Sequence, residues 1–319
     1  MRHGQPDHPM GGRGWGLVVL LVVCLLAAAC SGGDPTEEER AAQAEIATLA
    51  SEALDALDEA VAVSGEQLQE AAEQVSEAVQ EGQLGLATPG VLVVGTNADF
   101  LPFVGRGDDD GIRGFDVDLM TEVGSRMGLE PVWVDMPFPN LTGAVTTGEV
   151  DVVIAAITIT NQREEVIDFS HPYFVGSQGL AAPPGTELTG VEDLSSDVTI
   201  AVLADTTGEA YATDTFLDAE IASYADRATA LGALSAGAVD AVFMDTDALV
   251  EQAREGSVVL VEEVPTAERY GIGLAEDNAP LRTAVNEALD AVVTDGTYER
   301  IFTEWFPGRD VEQVIDLLR

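Results

Sequence analysis

The chain has 319 residues, 46% of them hydrophobic and 32 of them glycine, which is more than one ordinary domain needs and enough to bury two cores. Its formal charge of −43 arises from 57 acidic residues against 14 basic ones, every one an arginine. Such a surface repels polyphosphates, so nucleic acid is not an expected partner, and the spread of acids along the chain points to salt adaptation or codon usage rather than an acidic docking face.

Arg2 and Arg13 precede an apolar run from Leu17 to Ala29. The run is shorter than the roughly 20 residues a membrane-spanning helix needs and reads as a signal peptide. It ends Leu26-Ala27-Ala28-Ala29-Cys30 before Ser31-Gly32-Gly33, which resembles a bacterial lipoprotein cleavage box. Residues 1–29 are therefore expected to be removed and Cys30 to carry the lipid that anchors the protein to the membrane. The other cysteine, Cys24, lies in the segment to be removed, so no disulfide is expected and packing must hold the body together. From Pro35 to Gln83, Ile46, Leu49, Ala53 and Leu57, then Leu68, Ala72, Val75 and Val79, recur three or four apart on either side of Gly65. This predicts two helices, or one interrupted helix, forming a spacer over residues 30–87.

Thr88-Pro89-Gly90 opens the folded body, and Val91-Leu92-Val93-Val94-Gly95 reads as a buried strand. A helix is predicted after Gly114-Phe115-Asp116, another over Leu141–Thr147, and a continuous strand over Val150–Thr158. Strands alternating with helices argue for an α/β fold with parallel sheet. Gly148-Glu149-Val150-Asp151-Val152-Val153 is echoed by Gly237-Ala238-Val239-Asp240-Ala241-Val242, so two similar α/β units are expected, with polar residues, Thr158 and Asp245, just past their strands. Ligands bind at such strand ends, and two facing each other make a cleft.

Gly114-Phe115-Asp116-Val117-Asp118-Leu119 is similar to the signature of family 3 of the bacterial extracellular solute-binding proteins. The resemblance continues through Asn97–Phe103, Ala155–Thr160 with Arg163, Ile167–Ser170 with Pro172-Tyr173, Thr206–Tyr211, Asp245-Thr246, Asp295–Tyr298 and Trp305-Phe306. It spans about residue 90 to 307. It implies the two-lobed periplasmic-binding-protein fold, two α/β lobes joined by a two-segment hinge, here with an N-terminal helical extension. The first lobe would comprise residues 88–179 and 271–319, and the second residues 180–270. The resemblance further implies a monomer on the outer face of the cytoplasmic membrane that captures a free amino acid for the permease subunits of an ABC importer, with no cofactor or metal.

A free amino acid presents a carboxylate and an ammonium, so its cleft needs a fixed cation and a fixed anion. Arg163 matches the family's carboxylate-binding arginine, whose guanidinium can donate two parallel hydrogen bonds. Thr158 would add a hydroxyl, and Thr206 and Thr207 the free N–H groups of a helix N-terminus. Asp245 matches the family's ammonium-binding aspartate, helped by the carbonyls of Ala155 or Ala156. Phe100 and Phe138 correspond to aromatic walls around the ligand side chain, while Phe103, Phe115, Phe169 and Trp305 are assigned to the core. Two positions depart from some relatives: Asn97 stands in place of an acid and Leu203 in place of a basic or polar residue, which favours a polar or acidic ligand. The lone histidine past the spacer, His171, is expected to be structural. With no metal-spaced cluster and no nucleophile paired to a base, no enzyme is expected. Sensing for a membrane receptor, or a dehydratase activity on the same fold, are the alternatives.

Overall fold

The computed structural model of the chain describes residues 84–107 and 110–318. The signal peptide, Cys30 and the helical stretch from Pro35 to Gln83 lie outside the described residues. In chain order the described elements begin with β1 (Val91–Thr96), β2 (Asp99–Phe100), β3 (Val104–Arg106), β4 (Ile112–Arg113), α1 (Phe115–Arg126) and β5 (Glu130–Asp135). There follow α2 (Leu141–Thr146), β6 (Val152–Val153), α3 (Asn161–Glu164), β7 (Asp168–Phe169), β8 (Phe174–Ala182), β9 (Thr199–Leu203) and α4 (Thr207–Thr215). The chain continues with β10 (Glu220–Tyr224), α5 (Arg227–Ser235), β11 (Ala241–Asp245), α6 (Thr246–Arg254), β12 (Val259–Tyr270) and β13 (Gly273–Leu274). It closes with α7 (Ala279–Thr294), α8 (Thr297–Trp305) and α9 (Val311–Leu318).

Two five-stranded sheets form the lobes, ordered β5-β1-β6-β13-β7 and β10-β9-β11-β8-β12. In the first, β1 runs parallel to β5, pairing Val91 with Glu130 and Thr96 with Asp135, and parallel to β6 on its other side. In the second, β9 runs parallel to β10 and β11, while β8 is antiparallel to β11 and β12. Helices cover both faces of each sheet. Leu92, Val94 and Ile272 pack against Leu119 and Met120 of α1, Leu289 of α7 and Phe302 of α8, and the opposite face meets Leu141 and Val145 of α2. In the second lobe Val242 and Met244 pack on Leu234 and Leu249, and Ile200, Val202 and Phe243 on Ala212 and Phe216.

The internal echo has a physical basis. Gly148 at φ 73° and Gly237 at φ 69° turn the chain out of α2 and α5, a left-handed backbone that suits glycine. Asp151 Oδ2 then accepts the Val93 N–H at 2.8 Å, and Asp240 Oδ2 the Thr199 N–H at 2.8 Å. In both lobes one aspartate fixes the register of the incoming strand against its neighbour.

The continuous strand expected over Val150–Thr158 is short. Only Val152–Val153 form strand, with Thr158 making an isolated bridge to Tyr270, because Asp116 Oδ2 accepts the Ala156 N–H at 2.9 Å and Ala156 adopts φ 49°, lifting the segment out of the sheet. That lift makes the cleft loop. Strand β8 pairs wholly within the second sheet, so residues 174–179, expected in the first lobe, pair with the second. The chain passes between lobes at Tyr173–Phe174 and again at Tyr270–Gly271, where the Tyr173 N–H donates to the Tyr270 carbonyl at 2.9 Å. Phe103 and Phe115 are fully buried, as expected of core residues. Phe169 and Trp305 are only partly buried, Trp305 because its Nε1 donates to Asp118. His171 is exposed, and its backbone N–H donates to Asn286 Oδ1 at 2.7 Å.

Candidate ligand-binding cleft

All eleven ligand-binding residues expected from sequence line one cavity: Asn97, Phe100, Phe138, Ala155, Ala156, Thr158 and Arg163 from the first lobe, and Leu203, Thr206, Thr207 and Asp245 from the second. Arg163 stands on the short helix α3, whose N-cap Thr160 accepts the Arg163 N–H at 3.2 Å. Its Nη1 donates to the Thr158 carbonyl at 2.8 Å and its Nη2 to the Asp205 carbonyl at 3.3 Å, the latter across the lobes. The guanidinium carbon lies 5.4 Å from the centroid of the Phe138 ring. Burial pulls the arginine's pKa down, while the charges of Glu268, Asp245 and Asp205 push it back up.

Thr206 caps α4: its Oγ1 accepts the Glu209 N–H at 3.2 Å and donates to the Leu203 carbonyl at 2.7 Å. The Glu209 carboxylate returns to the Asp205 N–H at 2.8 Å, so the turn is held from both sides. Asp205 sits at φ 61° there. The N–H groups of Thr207 and Gly208, in the first turn of α4, are bonded to no described residue. The Thr158 N–H is likewise free.

The Thr158 hydroxyl, expected to serve a carboxylate, donates to a glutamate instead. Glu268, near the end of β12, is buried, and its Oε2 accepts from Thr158 Oγ1 at 2.6 Å and from Thr207 Oγ1 at 2.8 Å. Gln178 Nε2 donates to the other oxygen at 3.0 Å. A hydroxyl has one proton. With both protons given to Glu268, what these hydroxyls offer the cavity is lone pairs, which suit an ammonium, whereas the free backbone N–H groups of Thr158, Thr207 and Gly208 suit a carboxylate.

Asp245 ends β11 at the position of an N-cap for α6 but makes no capping bond. It accepts the hydroxyl of Tyr270 instead. Burial pushes its carboxyl up to about 7, the charge of Glu268 acting in the same direction and the Tyr270 hydrogen bond against it. The Ala155 and Ala156 carbonyls accept nothing from the described residues. Asn97 Nδ2 is tied to the Met136 carbonyl at 3.1 Å, Leu203 is buried among its own lobe's apolar residues, and Phe100 packs against apolar clusters of both lobes.

Sequence reasoning missed Glu268, Tyr270 and Gln178 below the cavity, and Asp99, Ala204, Ala225, Asp226 and Arg227 in its wall. In a chain with 57 acids an isolated glutamate carries no signal. Asp226-Arg227 looks like any helix start.

The sequence profile of the bacterial extracellular solute-binding proteins, family 3, matches residues 92–308. The chain belongs to this family. Among curated relatives, it is 27% identical to the lysine/arginine/ornithine-binding periplasmic protein of Escherichia coli K12, covering 69% of this chain and 89% of that one. It is 31% identical to ABC transporter arginine-binding protein 1 of the same organism, covering 67% and 89%. Among solved structures, an ancestral arginine-binding protein bound to glutamine superposes with a TM-score of 0.65 at 32% identity, covering 69% of this chain and 99% of that one. Family 3 proteins are extracytoplasmic binding proteins, and no described helix is long and apolar enough to cross a membrane.

Proposed function

We propose that the protein captures one free amino acid between its lobes and delivers it, unchanged, to the permease of an ABC importer. The observation that carries this reading is the pairing of Arg163 and Asp245 across a single cavity walled by Phe100 and Phe138. The amino-acid carboxylate would meet the guanidinium and the N–H groups of Thr158, Thr207 and Gly208. The ammonium would meet Asp245, the Ala155 or Ala156 carbonyl and the threonine lone pairs. Each lobe supplies part of both sets, so a ligand binds the closed arrangement more tightly than the open one. The cavity encloses only about 40 Å³, so the lobes must part for an amino acid to enter. The side-chain class we favour is polar or acidic, since Asn97 and Leu203 replace residues through which some relatives hold other side chains. Anchorage by a lipid on Cys30, at the outer face of the cytoplasmic membrane, belongs to the same reading.

The test is calorimetric titration with the common amino acids. At least one should bind with micromolar affinity or better, about −8 kcal/mol. Arg163→Ala and Asp245→Asn should each weaken it by about 2 to 5 kcal/mol, the range for breaking one partner of a buried charged contact. Unaltered binding in both variants, or turnover of the bound amino acid, would sink the proposal.

A further inference from the structure

Arg227 has no place in the backbone-binding scheme, yet it lines the same cavity. It opens α5 behind the N-cap Asp226. Its backbone N–H donates to Asp99 Oδ2 at 3.0 Å, and its Nη1 to the Leu101 carbonyl at 2.9 Å and the Ala248 carbonyl at 3.4 Å. Asp99 and Leu101 belong to the first lobe and Ala248 to the second, so the side chain bridges both walls of the cleft. None of the groups around Arg163 is among its partners.

The guanidinium is partly buried and not fully engaged by protein groups. It forms no ion pair with any described carboxylate, and its Nε and Nη2 have no hydrogen-bond partner among the described residues. Burial lowers its pKa, opposed by the charges of Asp99 and Glu251. Two acids share this part of the wall, and each accepts a backbone N–H through one oxygen: Asp99 Oδ2 from Arg227, and Asp226 Oδ1 from Thr229 at 2.8 Å. A partly desolvated cation with unused donors gains from an oxygen acceptor and is penalised by a second cation.

We propose that Arg227 determines side-chain specificity, donating from Nε or Nη2 to a side-chain oxygen of the ligand. The amino acid is then a dicarboxylic one or its amide, and lysine and arginine are rejected. The inference rests on the amino-acid-capture reading and sharpens it.

The experiment titrates L-glutamate, L-aspartate, L-glutamine, L-asparagine, L-arginine and L-lysine into wild type, Arg227→Gln and Arg227→Lys. Wild type should bind a dicarboxylic amino acid or an amide at least tenfold more tightly than L-arginine. Glutamate against glutamine, and aspartate against asparagine, separates charged from neutral oxygen. Arg227→Gln should cut the ratio of that affinity to L-arginine affinity at least tenfold, and Arg227→Lys should keep the preference. Loss of the bridge between lobes alone would weaken every ligand alike and leave the ratio unmoved, which would overturn the proposal. A wild type preferring L-arginine or L-lysine would overturn it while leaving amino-acid capture intact. A wild type that binds no amino acid overturns both.

Discussion

Glu268 stands close enough to Asp245 for its charge to raise the proton affinity of Asp245, which Tyr270 hydrogen-bonds. The proposed capture needs Asp245 ionised to hold the ligand's ammonium, and its carboxyl is pushed up to about 7. The sign follows: below about pH 7 the empty cleft binds a proton that the ligand must displace, so affinity falls with pH, approaching tenfold per unit, and levels off above 7. Titrations between pH 5 and 8 check this, and Asp245→Asn should bind weakly with a flat profile. Glu268→Gln removes the neighbouring charge, so the midpoint should move to lower pH. An unmoved midpoint would refute the coupling. The same raised pKa acts on folding. Asp116 and Asp245, both held near 7 by burial, favour the folded state while protonated, so their contribution to stability declines as pH rises from about 4 to about 7. That Arg163 and Asp245 line one cavity was legible in the sequence because family-like motifs surround them. Glu268 was not, because its role depends on an irregular stretch of β12 between Val264 and Glu268 that brings it beneath two threonines distant in sequence.

The Gly114-Phe115-Asp116 turn aims the cleft loop. Gly114 takes φ 144°, and a Cβ there would lie 2.0 Å from the Phe103 carbonyl oxygen. The approach is that tight because the N–H groups of Phe115 and Asp116 donate to the Pro102 and Phe103 carbonyls, both at 2.9 Å. Asp116 then reaches Ala156 from the first turn of α1. Gly114→Ala should destabilise by about 3 kcal/mol, as strain with an enforced backbone shift does. Chemical denaturation would measure that loss, and a variant of wild-type stability would show that the turn has room to relax. Helix α1 was legible from its signature, as were both α/β units from their glycine–aspartate echo. The expectation of an unbroken strand from Val150 to Thr158 failed for a reason periodicity cannot carry: apolar Ala155 and Ala156 are buried outside the sheet as well as they would be within it.

For the whole molecule the dominant field is its own charge. At −43, with every cation an arginine, like charges repel across the folded surface and salt screens them, from roughly 10 Å at 0.1 M to 3 Å at 1 M. Melting temperature should therefore climb with sodium chloride between those concentrations, as calorimetry would record; a flat or falling series would mean that local pairs such as Arg126 with Asp295 outweigh the net field. The two-lobed architecture was legible from alternating strands and helices, but the crossing points were not, since β8 is apolar along most of its length and nothing in its sequence marks which lobe owns its first half. Those crossings are adjacent, Tyr173 bonded to Tyr270, so the second lobe is an insertion in the first. Its nesting orders the assembly of the chain as it emerges N-terminus first. Strand β13, which lies between β6 and β7, and the helices α7 and α8 that cover them all follow the second lobe. The lobe that begins first is thus completed last, and the inserted one can close its own sheet while its host still lacks an inner strand.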